Sequence, residues 1–174
     1  MDQIKIGIVC YPTFGGSGVV ATELGKGLAK EGHQVHFITY SQPTRLDFLN
    51  ENLYYHEVNT RTYPLFEYAP YELALASKMV SVVMNEKLDL LHVHYAIPHA
   101  TAAYLARQIL AETAGRKAPR VITTLHGTDI TLLGSDASYS WVVGFSLDRS
   151  DHVTAVSESL RNDTVTSLGL SRAI

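Results

Sequence analysis

Cysteine is nearly missing from this chain: Cys10 is the only one in 174 residues. No intrachain disulfide can form, and the thiol lies in an apolar run where a small buried hydrophobe is the ordinary role. A reducing, cytoplasmic setting is therefore expected. No apolar stretch reaches the roughly 18 residues of a membrane-spanning helix. The opening Met1-Asp2-Gln3-Ile4-Lys5-Ile6 also lacks the order of a secretory signal. No membrane partner is expected. Basic residues are few: 14 Lys and Arg against 17 Asp and Glu leave a formal net charge of −3. Without a basic run to track a phosphate backbone, nucleic acid is not an expected partner either. The absence of G-x-S-x-G removes the nucleophile elbow of a serine hydrolase. There is no internal repeat and no low-complexity linker, and the length suits one core that hides roughly 70% of the unfolded surface.

What is present is a regular alternation. Apolar runs bounded by turn residues occur at Ile4–Cys10, Val35–Thr39, Tyr54–Val58, Leu88–Val93, Val121–Thr124 and His152–Val156. Their near-continuous apolar character is that of strands covered on both faces. Between them, helical stripes are predicted at Val20, Leu24 and Leu28, at Leu73, Ala76, Val80 and Val83, and at Ala102, Leu105, Ile109 and Leu110. Gly32 and Gly115 mark helix stops, and Pro70 and Pro98 mark starts. Strand and helix in alternation give parallel βαβ units, hence an α/β, Rossmann-like, doubly wound sheet. Ser41–Asn52 and Asn59–Pro70, which carry Arg45, Arg61, Tyr63 and Tyr68, are expected as loops over the ligand edge. The ending Ser167–Ile174 shows no element that closes a sheet edge, as at a domain boundary.

Three polar groups of residues follow strands, and open α/β sheets bind ligands at the carboxyl ends of their strands. The first is Gly15-Gly16-Ser17-Gly18, which opens a helix whose free N–H groups and partial positive charge favour a phosphate or carboxylate. Gly16 to Ala21 also fits the dinucleotide pattern G-x-G-x-x-A, but Phe37 to Gln42 lacks the carboxylate that would hold a ribose diol. The second group is His92, His94, Tyr95 and His99. Three imidazoles raise a metal site, although histidines bonded to backbone serve the same spacing and no carboxylate completes a signature. The third is Leu125-His126-Gly127-Thr128-Asp129, where the glycine admits close approach and Asp129 is suited to fixing a histidine tautomer or accepting a sugar hydroxyl. Glu23 and Glu31 form an E-x7-E pair that reads as an exposed helix face.

Four strings carry a resemblance: Cys10 to Val20, Pro70 to Lys78, His92 to Ala100 and Thr123 to Thr131. Taken together they resemble the N-terminal domain of retaining, family-4 glycosyltransferases of GT-B architecture, in which two Rossmann-like domains face each other across a cleft. The resemblance covers essentially the whole chain and lies nearest the members that serve bacillithiol biosynthesis. It implies transfer of N-acetylglucosamine from UDP-GlcNAc to the hydroxyl of L-malate, with retention, no metal and no cofactor. It also implies an acceptor side made here, by residues 1–174, and a C-terminal donor domain of the same protein as partner. By matching position, Ser17, Tyr95 and Thr124 hold the acceptor, and Gly15, Gly16 and Gly18 form the loop beside the donor phosphates. His126 contacts the donor sugar and Asp129 supports it; these two are the catalytic candidates. Arg45 and Arg61 are the candidate cations for malate. The donor domain's own E-x7-E pair has no counterpart, since Glu23 and Glu31 fall in the wrong half. Alone, this chain is expected to be inactive, and homo-oligomerisation stays open. The alternatives are another sugar-nucleotide transferase of the family, a nicotinamide-dependent oxidoreductase, or a noncatalytic metabolite-binding module.

Overall fold

A computed structural model describes residues 2–47, 50–61, 63–113, 115 and 118–169. The strands are β1 (Lys5–Val9), β2 (Gln34–Thr39), β3 (Leu53–Glu57), β4 (Leu90–His94), β5 (Arg120–Leu125) and β6 (His152–Ala155). All pair in parallel, in the order β3-β2-β1-β4-β5-β6. The order reverses between β1 and β4, and the crevice outside such a switch point is the ligand position of doubly wound sheets. Register places Val9 beside Val93 and His94 beside Thr124. The segments that follow β1, β4 and β5 are thereby brought to one edge.

Helices cover the sheet: α1 (Gly16–Lys30), α2 (Tyr71–Glu86), α3 (Thr101–Thr113), the single turn α4 (Thr128–Thr131), α5 (Ser140–Asp148) and α6 (Glu158–Leu168). Among the described residues, no helix is long and apolar enough to cross a membrane. Alternate strand residues feed different cores. Val9, Ile38, Leu91 and Val93 meet α2 and α3, whereas Ile6, Ile8, Cys10 and Phe37 meet α1. This is why the strands read as continuously apolar. Cys10 is fully buried, and burial pushes its thiol up to about 12, so it is inert as a nucleophile.

The helix stripes hold at Ala76, Val83, Ala102 and Leu110 and differ at Val20, Leu24, Leu73 and Leu105. Val20 and Leu24 are 44% and 37% exposed, and α1 meets the sheet through Gly18, Ala21, Thr22, Gly25 and Ala29. Phe37 occupies the space: a Cβ at Gly25 would stand 2.4 Å from its ring. A large side chain on the sheet selects small ones on the helix. Likewise Leu73 and Leu105 are exposed, while α2 buries Leu75, Ala76, Met79, Val82 and Val83, and α3 buries Ala102, Ala103, Ala106 and Leu110.

Two further corrections concern segments. The stretch after β2 does not stay at the ligand edge. It returns along α1, where Lys26 pairs with Asp47 at 2.7 Å, Arg45 meets Glu23 at 3.4 Å, and Leu46 joins the Phe37 core. α5 and α6 carry no clean apolar stripe and are not expected from periodicity, and Ser167 and Leu168, expected to belong to no element that closes a sheet edge, end α6. The rest of that expected ending, 170–174, lies outside the described residues.

Candidate active-site cleft at the switch point

Tyr11, Thr13, Gly15, Gly16, Ser17, Val20, Tyr95, His126 and Val156 enclose a cleft of about 520 Å³. Its contributors come from the ends of β1, β4, β5 and β6 and from the start of α1. A larger groove of about 840 Å³ lies at the opposite edge, against Ile4, Asp89, Arg120 and His152, away from these groups.

α1 begins at the cleft. Gly15 caps it with extended backbone and no side-chain partner, and the first N–H to find an intrahelical acceptor is that of Val19, on Gly15 O at 3.1 Å. The N–H groups of Gly16, Ser17 and Gly18 are therefore the helix's orphan donors. Gly15 and Gly16 are exposed and Ser17 is half-buried, so all three face the opening. Gly18 does different work. It is buried, and a Cβ there would stand 2.3 Å from the Thr13 carbonyl oxygen, so glycine is what lets the helix start against the Tyr11–Thr13 backbone.

The second wall is Tyr95. Its backbone, at φ 83° and ψ 140°, lies in a region that side chains other than glycine avoid, at a cost of order 1–3 kcal/mol. The surroundings fix it there. Its N–H donates to Thr124 O at 2.9 Å, and the next N–H, of Ala96, donates to Asp129 Oδ2 at 3.3 Å. Its ring meets Tyr11 edge-on at 5.3 Å and tilts over His126 at 5.1 Å.

Asp129 is wholly buried and does not reach the cleft. Its Oδ1 accepts the N–H of Gly127 at 3.0 Å and of His126 at 3.3 Å, so one carboxylate ties the turn after β5 to the turn after β4. Burial raises its pKa, against the lowering effect of these backbone donors. Gly127, at φ 118°, makes the turn that brings those N–H groups round. The options of fixing a histidine tautomer or taking a sugar hydroxyl are both corrected: Asp129 shapes the loop, and the His126 ring is held by another histidine.

That partner is His94, whose Nδ1 lies 2.8 Å from His126 Nε2, with the rings stacked at 5.1 Å. His92 Nε2 lies 2.7 Å from Thr124 Oγ1, which lies 2.7 Å from Thr154 Oγ1. Thr124 is thus buried beneath the cleft, outside its lining, with its hydroxyl already engaged. His99 Nδ1 donates to the His94 carbonyl oxygen. The three imidazoles of the possible metal site each serve a different partner, and among the described residues no group of three His, Cys, Asp or Glu is placed to hold a metal. Burial holds all these rings neutral. It pulls His92 and His99 down to about 4 and His94 to about 2, and lowers His126 as well.

Neither Arg45 nor Arg61 lines the cleft, which contains no Lys or Arg among its described walls. Sequence reasoning did not single out Tyr11, Thr13, Val20 or Val156 as site residues. Tyr11 and Val156 each stand just past a strand's carboxyl end, and that position was the available signal.

Residues 14–174 match the model of Glycosyltransferase Family 4. The N-acetyl-alpha-D-glucosaminyl L-malate synthase of Bacillus anthracis is 57% identical over 162 residues, 93% of this chain and 41% of that protein. A Methanocaldococcus jannaschii glycosyltransferase, MJ1178, is 25% identical over 154 residues, 88% of this chain and 40% of that protein. This chain therefore spans about two-fifths of the length of these relatives. Among solved structures, a glycosyltransferase from Rickettsia africae superposes with a TM-score of 0.70 at 19% identity, over 98% of this chain and 41% of that one. Sucrose-phosphate synthase from Thermosynechococcus elongatus gives 0.59 at 16%, over 98% and 46%. The fold is the Rossmann-like half found in GT-B glycosyltransferases, and by the extent of the family match this chain belongs to glycosyltransferase family 4.

Proposed function

We propose that this chain is the acceptor-side half of a retaining transferase that moves N-acetylglucosamine from UDP-GlcNAc to the hydroxyl of L-malate, a step of bacillithiol biosynthesis. The observation that carries the proposal is the 57% identity with the Bacillus anthracis malate synthase over nearly the whole chain. The cleft supports it chemically. Orphan N–H groups at the start of α1 and the hydroxyls of Ser17 and Tyr95 suit a small carboxylate or a phosphate oxygen. Gly15 and Gly16 leave room beside them for a diphosphate. The cation that two malate carboxylates require comes, in this proposal, from the donor domain.

In the reaction proposed, the malate hydroxyl oxygen bonds to the anomeric carbon as the bond from that carbon to the diphosphate breaks. UDP departs on the face that malate attacks, and a phosphate oxygen of UDP takes the hydroxyl proton. Catalysis of this kind is positional and electrostatic, with no covalent enzyme intermediate and no metal. His126 contributes a polar contact to the donor sugar. Both substrates must be held in register, so the 174-residue chain alone is expected to release no UDP above blank. The test is paired: UDP release from UDP-GlcNAc and L-malate by this chain and by a protein that joins it to a donor domain, with the anomeric configuration of the product read by NMR. Turnover by the chain alone overturns the two-half arrangement. An inverted product overturns retention, and indifference of the joined protein to malate overturns the acceptor.

A further inference from the structure

The described residues leave five buried polar side-chain atoms without a partner, and three of them are the same atom: Nε2 of His36, His94 and His99. A neutral imidazole carries one N–H and one lone pair, so each orphan is either a stranded donor or a bare acceptor. Buried unpaired N–H groups are the rarer and costlier of the two. For His99 the question is closed by its partner. A carbonyl oxygen only accepts, so Nδ1 carries the proton and Nε2 is bare. The same assignment strands no donor at His94. With its proton on Nδ1, it donates across the 2.8 Å contact to Nε2 of His126. Nε2 of His126 is then an acceptor, and the one remaining proton of that ring sits on Nδ1.

We infer that His94 is a positioning residue that fixes His126 as its Nδ1–H tautomer, so that the ring offers the cleft a hydrogen-bond donor rather than a base. The reasoning requires neutral rings, and burial supplies that condition for both. His94 itself is fully buried and touches no ligand space. It acts through His126, which lines the cleft. What the donated N–H meets rests on the proposed function, where it is an oxygen lone pair of the sugar or its diphosphate. The tautomer does not rest on it.

The experiment is a long-range proton–nitrogen correlation spectrum of the ¹⁵N-labelled 174-residue chain at neutral pH, in which protonated and bare imidazole nitrogens resonate far apart. Expected for His126 are a protonated Nδ1 and a bare Nε2. His94→Phe removes the donor and is expected to let His126 populate the Nε2–H form, whereas His94→Asn, whose side-chain amide still donates, keeps Nδ1–H. A wild-type His126 protonated on Nε2 overturns the inference, as does a His94→Phe spectrum unchanged at His126. Should His94→Phe fail to fold, the wild-type and His94→Asn spectra decide the matter. No substrate is present, so failure here is separable from failure of the sugar-transfer proposal. An inactive two-half protein with a Nδ1–H ring sinks only that proposal, and an active one with a Nε2–H ring sinks only this inference.

Discussion

Two histidine pairs in this chain share one geometry and differ in what they face. At the sheet's β2–β3 side, His36 Nδ1 lies 2.9 Å from His56 Nε2. Beside the switch point, His94 Nδ1 lies 2.8 Å from His126 Nε2. In both, the inner ring is buried with an orphan Nε2 and the outer ring is half-buried. The outer ring of the first pair belongs to a sheet-edge strand, and its inner ring stacks on Tyr54 at 4.5 Å. The outer ring of the second pair opens into a cleft beside a helix start and a strained tyrosine. Pair geometry therefore does not distinguish the two; position on the sheet does.

The largest expected effect depends on burial alone and not on what a ring faces. Burial lowers His36, His92 and His99 to about 4 from an ordinary 6.5, so between those values the unfolded chain binds more protons than the folded one. Stability is then lost as pH falls through this window, by roughly 1.4 kcal/mol per pH unit for each such ring. Urea unfolding at pH 7, 6 and 5 measures the slope, and His36→Asn should flatten it by one ring's share. An unchanged slope means the His36 ring takes up its proton in the fold without cost.

The next effect separates the pairs. In a protein joined to a donor domain, His126→Ala should cut turnover by an order of magnitude or more, with about 2.7–4 kcal/mol, the value of an oxyanion-type donor, as an upper guide. His56→Ala should leave turnover within about twofold. Equal losses in the two variants would erase the functional distinction. Thermal unfolding of each separates lost chemistry from lost fold.

Asp129→Asn tests what holds the cleft pair in place. The amide keeps one acceptor oxygen and turns a donor toward a backbone N–H, so a loss of about 1–3 kcal/mol in unfolding free energy is expected. The His36 pair should be untouched, as its ¹⁵N resonances will tell. Smallest is the effect of single hydroxyls. Ser17→Ala and Tyr95→Phe should each weaken malate binding by about 0.5–3 kcal/mol, with folding retained. Calorimetric titration of the joined protein measures this, and unchanged affinity in both removes them from the acceptor site.

Much of the site was legible because strand ends are legible. The run that ends at Thr124 placed His126 at an edge, and the glycines after Cys10 placed Ser17 there too. Asp129 and Thr124 show the limit of that reasoning. Both stand within a few residues of His126, yet both turn inward, one to backbone N–H groups and the other to His92 and Thr154. Linear spacing does not say which way a side chain points after a turn. The helix stripes hold at Ala76, Val83, Ala102 and Leu110 but miss at Val20, Leu24, Leu73 and Leu105 for a related reason: periodicity follows the large apolar side chains, whereas packing on Phe37 selected Gly25.

The alternation of apolar runs and helical segments determined a parallel, doubly wound sheet, because strands buried on both faces and joined through helices have few other ways to hide their surface. The motifs after those runs marked the segments that meet at the cleft. Only the tertiary structure decided which histidine meets which, that Tyr95 is held at a positive φ, and that Asp129 is scaffold. Each of these depends on the register of β1, β4 and β5, which brings together groups 30 or more residues apart through contacts that no local preference encodes.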